Sequence, residues 1–153
     1  MPMGKLEVSA ERSIQAPAAT VYGYLADMRS HHPKFLPPAF SHFRVDSGGV
    51  GAGTVISFTL TAGGRSREYR MTLSEPEPGR VLKETDANSS LVTTFTVVPE
   101  PGGCAVEIST TWDGAGGVGG IFERIFAPRV MRALYSDELE RLARHAREQP
   151  EAS

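Results

Sequence analysis

Two kinds of side chain in this sequence could do chemistry: its histidines, and the arginines that interrupt apolar strand patterns. His31 and His32 are adjacent, so their side chains diverge on a helix or a strand alike, while His42 and His145 are isolated. A metal site needs ligands converging at about 2.0 Å, and the usual His-x-x-x-His spacing is absent. The pattern therefore predicts no metal site, and only His32 is placed to reach the mouth of a pocket.

The arginines of interest lie in predicted strands. Arg12 interrupts the apolar face of the first strand, and Arg67 shares a face with Tyr69 and Met71, whereas Arg70 points to solvent. Arginines in such places more often extend along an apolar rim with the charged end in water than act as catalytic cations. No general acid–base pair accompanies them in the sequence.

Motifs for nucleophilic catalysis or phosphate binding are missing from the sequence. It contains no Gly-x-Ser-x-Gly elbow of a serine hydrolase. The glycine-rich stretches GVGAGT and GAGGVGG do not end in Gly-Lys-Ser/Thr, and the first leads into a strand. Both are interpreted as turns that need backbone freedom.

Composition narrows the class of protein. A chain of 153 residues with a net charge of −2 fits a single domain and lacks the strongly basic face of a nucleic-acid-binding protein. The one cysteine, Cys104, excludes an internal disulfide and a cysteine-based metal cage. No apolar run approaches the ~18 residues of a membrane span, and the first residues lack the apolar core of a signal peptide. We therefore expect a soluble, cytoplasmic protein.

The C-terminal stretch is the element around which the sheet must close. Its apolar side changes direction at Pro128, which predicts a break there and a long amphipathic helix from about Arg129 to Arg147, roughly 28 Å in length. The apolar side of that helix consists of Met131, Tyr135, Leu139, Leu142 and Ala146.

The rest of the chain predicts one strand, two short helices and a run of antiparallel strands. The first strand covers Leu6 to Ile14, a helix covers Ala18 to Met28, and SHHPKFLPPAF forms an ordered turn or a second short helix. The turns AGGR and PEPGG mark hairpins, and EPEPG separates two strands. The later strands are predicted around Phe43 and Val45 and at Val55 to Ala62, Arg67 to Ser74, Val81 to Thr85, Leu91 to Val98 and Cys104 to Trp112. One helix cannot cover such a curved sheet completely, which predicts a space between them.

These segments resemble a known superfamily. IQAPAATVYGYLADM, then HHPKFLPP, GVGAGT and the closing helix are similar to the START-like, birch-pollen-allergen-like helix-grip superfamily (SRPBCC), and within it to the bacterial polyketide cyclase/dehydrase and lipid-transport family. The specific part is the spacing of Ile14, Ala16, Pro17, Val21 and Asp27. The resemblance implies an α+β helix-grip fold: a curved antiparallel sheet of about seven strands around a long C-terminal helix, with two short helices after the first strand. A single domain would cover residues 1–148, followed by a frayed tail at 149–153.

The resemblance also implies a function. We expect a hydrophobic small molecule, such as a lipid or a polyketide, to bind in a cavity between sheet and helix, without cofactor, metal or nucleic acid, in a monomer or weak homodimer. The alternative is an aromatase/cyclase- or dehydratase-type enzyme, in which Arg12 or Arg67 with Tyr69 supplies polar groups. A protein-interaction module has no dedicated motif here. The candidate ligand contacts are Leu36, Phe40, Phe58, Tyr69, Met71, Phe95, Trp112, Phe122, Ile125, Phe126 and Met131.

Overall fold

The computed structural model of the protein describes residues 5–113 and 128–149. Its elements confirm the predicted α+β architecture of seven antiparallel strands, two short helices after the first strand and a long C-terminal helix. The strands are β1 (Lys5–Ile14), β2 (Phe40–Ser47), β3 (Val55–Ala62), β4 (Arg65–Glu77), β5 (Val81–Asp86), β6 (Val92–Glu100) and β7 (Gly103–Asp113). The helices are α1 (Ala18–Ala26), a 3-10 helix (His32–Phe35) and α2 (Pro128–Glu148).

The sheet has the strand order β1-β7-β6-β5-β4-β3-β2, with every neighbouring pair antiparallel. The chain crosses from one edge to the other through α1 and the 3-10 helix, and then returns strand by strand. The predicted AGGR hairpin is present, because Ala62 pairs with Arg65 and the two residues between them, Gly63 and Gly64, have φ values of 60° and 77°. Two consecutive positive φ angles are what a two-residue hairpin of type I′ requires.

Alternation of side chains places the core on one face of the sheet. In β7 the buried positions are Cys104, Val106, Ile108, Thr110 and Trp112, separated by half-exposed ones, and the last four form the face that the sequence predicts. Removing each large apolar side chain from water contributes about 1.5–3 kcal/mol, so this face holds the sheet against the helices.

Helix α2 begins at Pro128, a position where the missing N–H of proline costs no hydrogen bond. Its observed range confirms the predicted helix to within one residue at each end. Its buried side contains Met131, Tyr135, Leu139 and Leu142, together with one charged residue, Glu138. No helix among residues 5–113 and 128–149 is long and apolar enough to cross a membrane.

Strand β4 is longer than the sequence indicates. The strand was expected to end at Ser74, and it continues to Glu77. Pairing with β5 is irregular between Ser74 and Glu77. A bulge there allows Pro76, which has no N–H to donate, to lie within a strand.

The loop that contains GVGAGT is a turn tied to β4. Gly51 has a φ of +71°, and a Cβ added there would lie 2.4 Å from Glu75 Oε1. The same carboxylate accepts hydrogen bonds from the Ala52 N–H at 2.7 Å and, through its other oxygen, from the Tyr22 hydroxyl at 2.7 Å. The glycine at position 51 therefore lets the loop backbone approach Glu75, and Glu75 in turn connects the loop to Tyr22 on α1. This agrees with the prediction of a turn.

Candidate functional site

A cavity lies between the concave face of the sheet and α2. Its volume is about 40 Å³. This is enough for several waters or for one compact ligand. The apolar lining residues are Leu36, Phe40, Phe43, Ile56, Phe58, Leu60, Met71, Leu91, Phe95 and Met131. The polar lining residues are His32, Tyr69, Glu84, Thr93, Tyr135 and Glu138.

The cavity opens beside β2 and the segment after the 3-10 helix. Leu36, Phe40 and Phe43 are half-buried, whereas every other described lining residue is buried. The rings of Phe40 and Phe58 lie 5.4 Å apart edge to face, and Phe58 stacks on Tyr69 at 5.4 Å. This aromatic wall leads inward from the opening.

His32, Glu84 and Glu138 form what we call the acid cluster. Glu84 lies on β5, the central strand, paired with Leu73 and Thr93. The opening lies beside β2, which is three strands away from β5 in the sheet. At about 4.8 Å per strand, Glu84 is roughly 14 Å from the opening. His32 Nε2 lies 3.4 Å from Glu138 Oε2, and His32 Nδ1 lies 2.7 Å from the Leu25 carbonyl oxygen. The three residues are 2%, 6% and 3% exposed, so their ionisable groups lie inside the protein, away from the water that would normally solvate a charge.

The electrostatics of the cluster follow from burial and from mutual charge. Burial opposes protonation of His32, but the hydrogen bond and the charge of Glu138, together with the charge of Glu84, outweigh it and raise the pKa of His32. Burial raises the pKa of Glu84 to about 7; His32 partly offsets this, and Glu138 adds to it. Near neutral pH the carboxyl group of Glu84 is therefore poised between its two protonation states, beside the His32–Glu138 contact.

Three hydroxyl groups connect the sheet to α2 beside the cluster. Thr93 Oγ1 and Thr110 Oγ1 lie 2.7 Å apart on adjacent strands, and the Thr110 hydroxyl is also hydrogen-bonded to the Tyr135 hydroxyl. Burial raises the pKa of Tyr135, so this phenol stays protonated at physiological pH.

The arginines predicted as polar cavity groups have different surroundings. Arg67 Nη2 lies 3.1 Å from Asp86 Oδ2, and the guanidinium carbon lies 4.3 Å from the centre of the Tyr69 ring. Burial raises the pKa of Tyr69, and the Arg67 guanidinium partly offsets that rise. Arg67 thus adjoins the cavity through Tyr69, while Arg12 is exposed and is not among the described lining residues.

The structure brings together seven of the eleven predicted ligand contacts: Leu36, Phe40, Phe58, Tyr69, Met71, Phe95 and Met131. Trp112 is 1% exposed in the core and is not among the lining residues that the structure describes. The three remaining candidates, Phe122, Ile125 and Phe126, lie outside the described residues. The role of all eleven in binding stays a prediction.

The histidines are less isolated than their spacing in the sequence indicates. His31 Nδ1 lies 2.9 Å from His145 Nε2, and Tyr24 packs against both rings. Burial and the positive charges of His31 and Lys34 lower the pKa of His145. In the described part of the chain no three His, Cys, Asp or Glu residues are arranged to hold a metal ion.

Sequence reasoning missed Glu84 and Glu138, although each breaks a local pattern. Glu84 follows Leu82 on the buried side of β5, and Glu138 lies between Tyr135 and Leu139 on the buried side of α2. A carboxylate on an apolar face is rarely buried without a partner or a function. That signal could have identified both residues, but not their proximity to His32.

Comparison with known proteins identifies the family. Residues 5–147 match the model of the polyketide cyclase/dehydrase and lipid transport family. The chain belongs to this family. The sequence also resembles pathogenesis-related protein 2 of Petroselinum crispum, which is 33% identical over 121 residues, covering 72% of this chain and 76% of that protein.

Solved structures share the fold of this family member. The KanY protein, solved by NMR, is 38% identical, with a TM-score of 0.83 over 95% of this chain and 99% of that one. Norcoclaurine synthase from Thalictrum flavum, solved in complex with dopamine and hydroxybenzaldehyde, has a TM-score of 0.73 over 97% of this chain and 90% of that one. Its identity of 19% supports the shared helix-grip fold alone.

Proposed function

We propose that this family member binds a compact hydrophobic small molecule in the cavity between the sheet and α2. The observation that carries the proposal is the composition of that cavity, which has ten apolar side chains around a few buried polar groups. Small-molecule sites are typically concave, mostly apolar and provided with a small number of placed polar groups. The family description, which includes lipid transport, supports the same function.

The size of the cavity favours a ligand that has one ring or a short chain at its inner end. A longer molecule would extend past Phe40 and Phe43 towards the opening. Met71 and Met131 line the wall, and their flexible side chains allow it to adapt to different shapes.

Fluorobenzene is a suitable test ligand because it is apolar, uncharged and as small as the cavity. We expect binding with an affinity on the order of millimolar, as for other ligands of this size, detected by line broadening in ¹⁹F NMR. Leu36→Trp, at the opening, should weaken binding roughly tenfold or more by filling the entrance. Leu6→Trp is the matched control, because Leu6 is 37% exposed on β1 and does not line the cavity. Equal binding by the two variants, or no binding to the wild type, would refute the proposal.

An enzymatic function is the second candidate, and the acid cluster favours it. A carboxyl group with a pKa of about 7, such as that of Glu84, exchanges protons readily near neutral pH. Its neighbour, the His32–Glu138 pair, could stabilise charge that develops on a bound carbonyl compound. Arg12 is exposed, so Arg67 with Tyr69 is the better placed of the predicted polar pairs.

Acetophenone provides a direct assay of this second candidate. Glu84 would remove a proton from the methyl carbon and return a deuteron from D₂O, so the net reaction is exchange without other change. General acid–base catalysis by one group contributes about 10²–10⁴-fold in rate, and Glu84→Gln should remove it. Glu68→Gln, exposed on β4, is the control. Exchange at the uncatalysed rate in wild-type protein would leave binding as the only function.

A further inference from the structure

Glu84 is a buried carboxyl group of the cavity that has no hydrogen-bond partner among the residues that the structure describes. The residue is only 6% exposed, and it lines the cavity. Within the described residues it acts on His32 and Glu138 only through charge, whereas those two contact each other directly. A buried carboxyl group without a partner is costly, and a bound ligand that supplies the partner removes that cost.

The charges around Glu84 define which kind of partner fits. When all three members of the acid cluster are ionised, two carboxylates face one imidazolium, which leaves a net charge of −1. The described lining residues include no lysine and no arginine. The guanidinium of Arg67, which lies over the ring of the lining residue Tyr69, is paired with Asp86, whose side chain is 0% exposed. Counted over the described residues, the fully ionised cluster therefore lacks one positive charge.

We infer that the inner end of the cavity binds an organic ammonium group, so that the ligand of this protein is a compact hydrophobic amine whose nitrogen donates to Glu84. This inference rests on the proposed function and adds the chemical class of the ligand. The ammonium supplies the missing positive charge and a hydrogen bond, and the aromatic wall from Phe40 to Tyr69 takes the apolar part. A carboxylate or phosphate ligand would add to the negative charge and is excluded for that reason.

Proton linkage gives this inference a characteristic pH dependence. Within the described residues, the titratable groups that interact with Glu84 are His32 from the 3-10 helix and Glu138 and Tyr135 from α2. Since burial raises the pKa of Glu84 to about 7, an ammonium ligand must displace a proton below that pH and displaces none above it. Affinity for an amine should therefore rise by about tenfold from pH 6 to pH 8, while affinity for an uncharged analogue of the same shape changes little.

The experiment compares 4-fluorobenzylamine, 4-fluorobenzyl alcohol and 4-fluorobenzoate with fluorobenzene by ¹⁹F NMR of the full chain. At pH 8 we expect the amine to bind roughly ten- to a hundredfold more tightly than the alcohol, and the benzoate not to bind. Glu84→Gln should abolish the preference for the amine, and Glu68→Gln, which removes an exposed carboxylate from β4, should retain it.

The outcomes separate the two proposals. Binding of fluorobenzene and of the alcohol, with no preference for the amine at pH 8, would overturn the amine inference and leave the proposed function standing. Failure of all four compounds to bind would overturn both. If Glu84→Gln does not fold, as judged by its thermal melt, the pH dependence of wild-type affinity decides, and a flat profile for the amine overturns the inference.

Discussion

His32 Nε2 lies 3.4 Å from Glu138 Oε2, and the two side chains are 3% and 4% exposed. The Leu25 carbonyl oxygen, 2.7 Å from Nδ1 of the same ring, can only accept, so Nδ1 carries a hydrogen. The proton that decides the charge of the ring therefore sits on Nε2, between His32 and Glu138. This contact joins the 3-10 helix to α2 and sets the field in which Glu84 titrates.

Glu138→Gln should lower the pKa of His32, because burial is then opposed by the charge of Glu84 but no longer by the hydrogen bond and charge of Glu138. The variant should also lose about 1–3 kcal/mol of stability at pH 6. Titration of the imidazole resonances by NMR and urea denaturation measure the two effects. Glu140→Gln, half-exposed beside Arg144 on the same helix, is the control. An unchanged His32 titration in Glu138→Gln would show that the pair does not share a proton.

Glu84→Gln should remove a pH dependence of stability. The carboxyl group of Glu84 has a pKa of about 7 in the folded protein against 4.5 when unfolded, so folding takes up a proton between these values. The contribution that protonated Glu84 makes to the free energy of unfolding is therefore fully present below pH 4.5. It falls as the pH rises towards 7, by about 3 kcal/mol in all. Urea denaturation from pH 4.5 to 8 should show the wild type losing this amount relative to Glu84→Gln. Parallel profiles would contradict the raised pKa.

Tyr135→Phe should cost about 0.5–1.5 kcal/mol, because the Thr110 hydroxyl loses a buried partner while the ring stays in place. Tyr24→Phe is a matched control, since Tyr24 is half-buried and contacts His31 and His145 through its ring. Urea denaturation at pH 7 measures both. Equal stability of Tyr135→Phe and the wild type would mean that the hydroxyl contact contributes nothing.

Trp112→Ala should destabilise the protein by about 3–5 kcal/mol, because a fully buried indole leaves a large void. Trp112 is the only tryptophan in the chain, so the fluorescence of the wild type reports this site directly, and its emission should be that of an indole shielded from water. If Trp112→Ala and Phe58→Ala both fold, the affinity for fluorobenzene should fall less in Trp112→Ala than in Phe58→Ala. The second variant removes a ring that lines the cavity. The opposite order would assign Trp112 to the cavity.

Arg67→Met and Arg12→Met should differ, although both arginines interrupt apolar strand patterns. Arg67→Met leaves the buried Asp86 carboxylate without its cation and should lower the free energy of unfolding by roughly 2–4 kcal/mol. This is less than the value for a fully buried pair, because the Arg67 side chain is 20% exposed. Arg12→Met, at an exposed position, should change the free energy of unfolding by no more than about 0.5 kcal/mol. Thermal melts at pH 7 compare the two, and equal losses would show that the contact with Asp86 contributes little.

The elements of this fold could be predicted because their signals are local. Two-residue alternation marked β7, the pair Gly63–Gly64 marked a hairpin turn, and the spacing of Met131 and Tyr135 marked the buried side of α2. Each pattern reflects how neighbouring residues share one backbone conformation, which is contained in a short segment of chain. The family resemblance then extended these elements to the helix-grip arrangement.

Only the tertiary structure decided where the chemistry lies. His32, Glu84 and Glu138 come from a 3-10 helix, a strand and a helix that are far apart in the sequence, and no spacing between them indicates that they meet. Their meeting depends on strand order, on the register that pairs Glu84 with Thr93, and on the placement of α2 over the sheet. Burial and neighbouring charges then alter the pKa values of His32 and Glu84, because the cost of a charge depends on everything that surrounds it. The sequence determined that the sheet and the helix form, and their packing alone placed a titratable carboxyl group at the inner end of an apolar cavity.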